Sequence, residues 1–366
     1  MITEIGDKIY VKGSARIHVH KKDRTKIIRN RSYSIKKIKE IEIENNTFNF
    51  KNRKSFILSS CYGGTNKDGF KLNRQDFKFK IADYHFILGD VLYSDRHLKD
   101  KPTWDPEMED DKGTYPCSNY DDYMKLYREE VFSTKIGKIL NQMPTTVMMD
   151  DHEIVNNFSD QLHDGKVPKK VVKAGIKAFE ANFITPKKRY YKFDFNEYLD
   201  IFILNIREER LNLGEKRIIS DKQFKWIVKS LNNSKKKFKL LITSIPFMQK
   251  KAENTSRDRW SYYTKEHKDV IPQTDKLLAK IKDVKGLFIA AGDYHYGTVH
   301  HVEGIPEIVS SSVASRTKQL EIKDEIFGTI ENHYVEVIAE KEIIVNYYNS
   351  LSGDLIKTLK LFEDKS

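Results

Sequence analysis

Six short apolar runs, each ending in polar or chemically capable residues, constrain this chain more than anything else in it. They are "SFILSSC", "DYHFILGD", "TTVMMDDHE", "YLDIFILNIRE", "FKLLITSIPF" and "GLFIAAGDYH". Near-continuous apolar strands leave no face for water, so they belong to a sheet covered on both sides, as in an α/β protein. In open α/β sheets ligands gather just beyond the carboxyl ends of the strands, and here those ends carry Cys, Asp, Asn and His. Helical patterns lie between the runs. "NYDDYMKLYREEVFSTKIGKILNQM" has apolar residues at helical spacing up to Pro144, and "VPKKVVKAGIKAFEANF" is amphipathic and stops before Pro186. "SDKQFKWIVKSLNN" opens on a cap at Ser220 or Asp221 and should turn Phe224 and Trp226 toward the core.

The two ends of the chain have another texture. Residues 1–52 read as a small β lead-in, because "KIYVKGSARIHVHKK" and "EIEIENNTFNF" alternate. The catalytic domain is expected over 53–366, closing in a β meander formed by "HYVEVIAEKEIIVNYYNSLSGDLIKTLKLF". With 366 residues there is ample chain to bury a core, and a 39% hydrophobic, 11% aromatic composition is globular rather than disordered.

A net charge of +12 would draw phosphate-bearing partners, or it reflects lysines on solvated faces. Runs such as "KKDRTK" and "SKKKFK" are interspersed with acids and form no single stripe, which favours the second reading and implies no obligate nucleic-acid partner. "MITEIGDKIYVKG" has no basic stretch followed by an apolar one, and no run of about 18 apolar residues occurs. No transmembrane segment is expected, and the location is cytoplasmic by default, or secreted if the sequence is already processed. Two cysteines, Cys61 and Cys117, do not make a disulfide scaffold. Cys61 is a buried small hydrophobe, half of a disulfide, or a thiolate with chemistry to do. Cys117 sits in the acidic loop 105–122, which reads as solvated surface.

The chemistry-bearing pattern is an ordered series of metal-competent strand ends. Cys61 is followed by Gly63 and Gly64; Asp90 follows Gly89, with Tyr93 three residues later. "MDDHEIVNN" offers Asp150, Asp151, His152, Glu153, Asn156 and Asn157, and "GDYH" places Asp293 and His295 one residue apart. Each piece has an ordinary reading alone: a Gly-Asp turn, a core tyrosine, acids at a helix start. Together they fit a two-metal hydrolytic centre, in which paired cations clamp the attacking and leaving oxygens of a phosphoryl group. Thiolate, phenolate and imidazole suit a transition metal, whereas carboxylates suit a harder ion. Sorting by type therefore gathers Cys61, Tyr93 and His295 round one metal and Asp151 and Asp293 round another, with Asp90 between them.

These residues resemble the alkaline phosphatase D family of the calcineurin-like metallophosphoesterases, over roughly 55–350. "SSCYGG" looks like the family's Ser-Cys opening, "FILGDVLY" like its second motif, and the long helix leading into "DDHEIVNN" like its third. "FILNIREERL", "SDKQFKWIVKSL", "ITSIPF", "RDRWSYY", "GDYHYG" and "SSSVAS" follow in the family's order. The resemblance implies a four-layer α/β/β/α sandwich and hydrolysis of phosphate mono- or diesters by in-line attack of a metal-bound hydroxide or oxo species. It implies Fe(III) with Ca(II), other divalent metals being alternatives. It also implies His152 as the residue that stabilises or protonates the leaving oxygen, Arg207 as a phosphate clamp or else a structural anchor, and Asn156 or Asn157 in the calcium shell. Ser244 stands where the wider superfamily has a histidine ligand, and Asn205 where the family has Asp, which bears on how Arg207 is oriented. Trp260 and Tyr262 would form a substrate rim or pack beneath the site. The alternatives are a phospholipase D-like diesterase, and a basic protein binding nucleic acid or anionic surfaces around a vestigial site. The sequence leaves substrate and oligomeric state open.

Overall fold

The computed structural model describes residues 1–5, 8–19, 24–34, 38–43, 46–50, 52–64, 68, 72–73, 75–94, 117–155, 168–186, 188–210, 218–247 and 273–362. Its first strands are β1 (Ile2–Ile5), β2 (Lys8–Val19), β3 (Arg24–Ser34), β4 (Ile38–Ile43) and β5 (Asn46–Phe48). They form a sheet of their own in the order β1-β2-β4-β5, with β3 also paired to β2. The alternation in the sequence announces β2, β4 and β5. It does not announce β3, whose "RTKIIRNRSYS" is dominated by basic residues.

The apolar runs become β6 (Ser55–Ser59), β7 (Tyr84–Ile87), β8 (Thr145–Val147), β10 (Leu199–Ile203), β11 (Phe238–Ile242) and β12 (Leu287–Ala291), with β9 (Tyr191–Asp194) beside β10. The chain ends in β13 (Gly297–Val302), β14 (Ile305–Val309), β15 (Glu325–Thr329), β16 (His333–Ala339), β17 (Ile343–Asn349) and β18 (Leu355–Lys360). The six runs divide between two mixed sheets. β6, β7 and β8 pair in parallel within a six-stranded sheet, β18-β17-β16-β6-β7-β8, which the antiparallel meander completes. β10, β11 and β12 pair in parallel within a seven-stranded one, β15-β13-β14-β12-β11-β10-β9.

Side-chain alternation shows how the second sheet is covered. Ile201, Ile203, Leu240, Ile242, Phe288 and Ala290 enter the larger hydrophobic cluster, which they share with Phe56, Leu58, Val335 and Val337 of the six-stranded sheet. Their neighbours Phe202, Leu241 and Ile289 enter a separate cluster with Ile227, Leu231, Leu277 and Leu278. Successive strand residues face opposite ways, so one face meets the other sheet and the opposite face meets helices. Phe193 against Tyr84 and Phe86 extends the contact between the sheets, with ring centroids 5.7 and 5.9 Å apart.

The helices are α1 (Tyr120–Leu126), α2 (Lys135–Gln142), α3 (Lys169–Asn182), the short α4 (Arg207–Arg210), α5 (Asp221–Asn233) and α6 (Gln273–Ile281). The first helical pattern of the sequence is thus broken. α1 runs into a π-helical segment, Tyr127–Phe132, and α2 restarts where Thr134 Oγ1 accepts the Ile136 N–H at 3.3 Å. The apolar spacing does not reveal this break, because the caps that make it are short local bonds. α5 opens on Ser220, whose hydroxyl accepts from Gln223 N, and Phe224 and Trp226 pack partly buried on the smaller cluster. No described helix is long and apolar enough to cross a membrane.

The N-terminal sheet is tied to both larger sheets through β1. Thr3 Oγ1 donates to Thr145 O at 2.5 Å, and Tyr84 OH accepts from Glu4 N at 2.7 Å. The buried Glu4 carboxylate pairs with Arg53, which also donates to Phe195 O at 2.7 Å.

Candidate metal centre

β6, β7, β8 and β12 each release a few residues at their carboxyl ends, and sterically unusual backbone brings those residues together. Cys61, Asp90, Asp293 and His295 have φ of 60°, 55°, 68° and 51°. Only seven described non-glycine residues adopt this left-handed backbone, so four of them falling here marks concentrated strain, of order 1–3 kcal/mol per residue. Main-chain bonds hold it in place: Tyr62 N donates to Asp90 O at 2.8 Å, and Cys61 N to Gly89 O at 3.4 Å. From the other sheet, the segment after β14 crosses over, with Val313 N donating to Ser60 O at 2.9 Å and Ala314 N to Cys61 O at 3.0 Å.

The side chains form three overlapping groups of donor atoms, each group lying within 4.8 Å: Cys61, Asp90 and His295; Asp90, Asp151 and His152; and Asp90, Asp150, Asp151 and Asp293. Asp90 belongs to all three. Tyr93 joins the first, its hydroxyl 3.0 Å from His295 Nε2 and 3.3 Å from Asp90 Oδ2. His295 Nδ1 lies 3.0 Å from Arg316 O, a bond that turns Nε2 toward the donors. The His152 ring stacks on Tyr93 at 4.1 Å between centroids. Ser94 fixes its main chain: Ser94 N donates to His152 O at 3.0 Å, and Ser94 Oγ lies 3.0 Å from His152 O and 2.7 Å from Ile154 O.

The framework is carried by residues that the sequence offered as donors. Glu153 accepts from Val91 N at 2.6 Å and from Asp150 N at 2.7 Å, tying the β7 exit to the β8 exit. Arg207 is fully buried, and Nε donates to Asp150 Oδ1 at 2.6 Å. Its Nη2 lies 3.3 Å from Asp150 Oδ2, 3.4 Å from Asp151 Oδ1 and 3.6 Å from Asp293 Oδ1. Nε and Nη2 are thus engaged by carboxylates of the cluster, Asp150 first. Asn205, at the β10 exit, bonds Glu208 at 3.1 Å and exchanges main-chain bonds with the Gln223 amide. The missing side chain at Gly63 leaves room here: a Cβ would stand 2.5 Å from Ser315 Oγ and 3.3 Å from the Tyr93 ring.

Electrostatics say what this cluster lacks by itself. Burial, then repulsion from Asp151 and Asp150, pushes the Asp90 carboxyl well above the usual carboxylate range. Burial and the Asp90 charge likewise raise the Cys61 thiol, and burial carries Glu153 up to about 8. Asp90 Oδ1 is buried and has no hydrogen-bond partner among the described residues. Carboxylates crowded round one guanidinium, with an oxygen left over and soft donors on one side, fit bound cations: metal charge favours the deprotonated ligands that burial disfavours.

Cys61, Asp90, Tyr93, Asp151, His152, Asp293 and His295 therefore meet in one place, and Arg207 lies directly behind it. Cys61 and Cys117 are not joined in a disulfide, and both are buried. Asn156 lies outside the described residues, as do Asn157, Trp260, Tyr262 and residues 105–116. The hydroxyls of Ser311 and Ser315, which reach Cys61 and Tyr93, belong to the "SSSVAS" stretch quoted above, but no role was read for either from sequence.

This combination of fold and strand-end donors is that of a metal-binding phosphatase. The chain resembles a solved structure described as "Structure of PhoD", with a TM-score of 0.64 at 14% identity, covering 98% of this chain and 88% of that one. It also resembles the purple acid phosphatase PPD1 from yellow lupin (Lupinus luteus) seeds, with a TM-score of 0.54 at 13% identity, covering 98% of this chain and 59% of that one. No curated protein matches the sequence. The PhoD-like phosphatase family model matches residues 56–351, and the chain belongs to that family.

Proposed function

We propose that this enzyme hydrolyses phosphate mono- or diesters at a multinuclear metal centre that Asp90, with its neighbours, would hold. The observation that carries the reading is the membership of Asp90 in all three donor groups. Cys61, Tyr93 and His295 would hold a transition metal, iron being the best match to thiolate and phenolate, while Asp151 and Asp293 would hold a harder ion such as calcium. Asn156 is proposed to complete the harder ion's shell. Bound metals supply Lewis acidity toward a phosphoryl oxygen and make water acidic enough to act as a nucleophile.

The chain's own residues do the rest. His152, stacked on Tyr93 and fixed by Ser94, holds a proton for the leaving oxygen. Arg207 bridges Asp150, Asp151 and Asp293, and so shapes the site rather than gripping phosphate. Glu153 sets the spacing of the loops that carry Asp90 and Asp151. The test is elemental analysis of the purified chain together with hydrolysis of generic phosphate monoesters and diesters. Metal content and activity should both fall in Asp90→Asn. Full activity and metal content in that variant would rule this role of Asp90 out.

A further inference from the structure

Two buried serines from the β14 exit touch the softer half of the centre, and the direction of their hydrogen bonds can be worked out. Ser311 Oγ accepts the His295 N–H at 2.8 Å and lies 3.0 Å from Cys61 Sγ. A hydroxyl has one proton to give and two lone pairs; the peptide N–H takes one lone pair, and toward a deprotonated sulfur, which can only accept, the hydroxyl gives its proton. Ser60 Oγ is also near the sulfur, at 3.3 Å, but it donates to Ser310 O at 2.8 Å. Ser311 is thus the side chain placed to donate to a Cys61 thiolate.

Ser315 repeats the arrangement beneath Tyr93. Its Oγ accepts Gly63 N at 3.1 Å and sits 3.0 Å from Tyr93 OH and 3.2 Å from Cys61 O. The Cys61 carbonyl already accepts Ala314 N at 3.0 Å, so a deprotonated Tyr93 oxygen is the acceptor in greater need of that proton. The lack of a side chain at Gly63 keeps this space open. Ser312, equally buried, bonds only main-chain groups: it lies 3.3 Å from Cys61 O and 3.1 Å from Ser315 O, and accepts Ser315 N at 2.6 Å.

We propose that Ser311 and Ser315 are positioning residues which donate hydrogen bonds to the Cys61 thiolate and the Tyr93 phenolate, and so set metal affinity and ligand-to-metal charge transfer in the Cys61–Tyr93–His295 half-site. The proposal rests on the reading of that half-site as a transition-metal site. Hydrogen bonds to ligand atoms withdraw electron density and fix orientation, and their loss commonly weakens metal binding by about 10–100-fold.

The experiment compares the iron-loaded wild-type chain with S311A, S311T, S315A and S312A. It records the visible absorption spectrum and, by chelator competition, the affinity for iron. S311A should move the sulfur charge-transfer band to lower energy and weaken iron binding about 10-fold, with S311T restoring both. S315A should shift only the phenolate band, which provides an independent reading if S311A does not fold. S312A should change neither. Wild-type spectra in the folded Ser311 and Ser315 variants, or equal shifts in S312A, would overturn the inference and leave the half-site intact. Absence of any thiolate or phenolate band in iron-loaded wild type, with C61A binding iron equally well, would instead overturn the half-site reading.

Discussion

Arg207 and Asp150 form a fully buried ion pair, Nε to Oδ1 at 2.6 Å, directly behind the donor cluster. Breaking such a pair from one side leaves a charge without compensation, which typically costs 3–5 kcal/mol. Arg207→Met should lose about that much stability in the metal-free state, because Asp150, Asp151 and Asp293 are then left together. Asp150→Asn should cost less, since Asp151 and Asp293 remain close to the guanidinium. Urea unfolding of both variants in chelator checks the order; a larger loss for Asp150→Asn would show that Arg207 is not what holds the carboxylates.

The division of donors predicts an asymmetric response to ligand loss. Cys61→Ser should deplete the transition metal and largely retain the harder ion, whereas Asp151→Asn should do the reverse. A calcium-directed chelator should reversibly remove activity from the wild-type chain while its transition-metal content stays the same. Elemental analysis before and after treatment is the measurement, and parallel loss of both metals in both variants would contradict the sorting.

Much of this was legible in the sequence because strand ends report chemistry locally. Cys61, Asp90, Asp151, Asp293 and His295 each follow an apolar run, and period and composition sufficed to place them. What joins them was not legible. Three of the six runs go to each sheet, and the crossing of residues 310–315 from one sheet to the other depends on main-chain bonds between positions about 250 apart in sequence, such as Val313 to Ser60. The same applies to Glu153 and Arg207: a carboxylate or guanidinium in a motif looks alike whether it meets a metal or a peptide N–H. β3 was hidden for another reason, since its basic residues mask the alternation that marks a strand.

Gly89 lies between β7 and Asp90 with φ of +117°, and a Cβ there would stand 2.4 Å from Asp150 Cβ. Gly304 also has positive φ, +81°, but opens on free space. Gly304→Ala should therefore cost only backbone strain, about 1 kcal/mol, whereas Gly89→Ala adds a clash between two site loops and should cost several times more. Comparing their urea midpoints reads the added cost at Gly89, the clash together with its less accessible φ. Equal midpoints would mean that the close approach of the two loops does not matter to stability.

Stability should fall in mild acid through His85, which is fully buried beside the site. Tyr62 OH donates to Ser59 Oγ at 2.8 Å, the Ser59 oxygen lies 2.6 Å from His85 Nε2, and no described residue bonds His85 Nδ1, so nothing around the ring favours its charged form. Burial depresses its pKa from 6.5 to about 3. Between those values the unfolded chain holds one more proton than the folded one, so this contribution is complete above about pH 6.5 and disappears as pH falls toward 3. At pH 5 the loss is about 2 kcal/mol. Buried His333, depressed to about 4, adds a loss of the same sign. His85→Gln keeps a hydrogen-bonding group beside Ser59 but cannot titrate, so the stability difference between pH 7.5 and 5 should shrink by about 2 kcal/mol relative to wild type. Measuring both proteins by urea unfolding in chelator cancels the contribution of the site carboxylates, and an unchanged difference would show that His85 is not the titrating group.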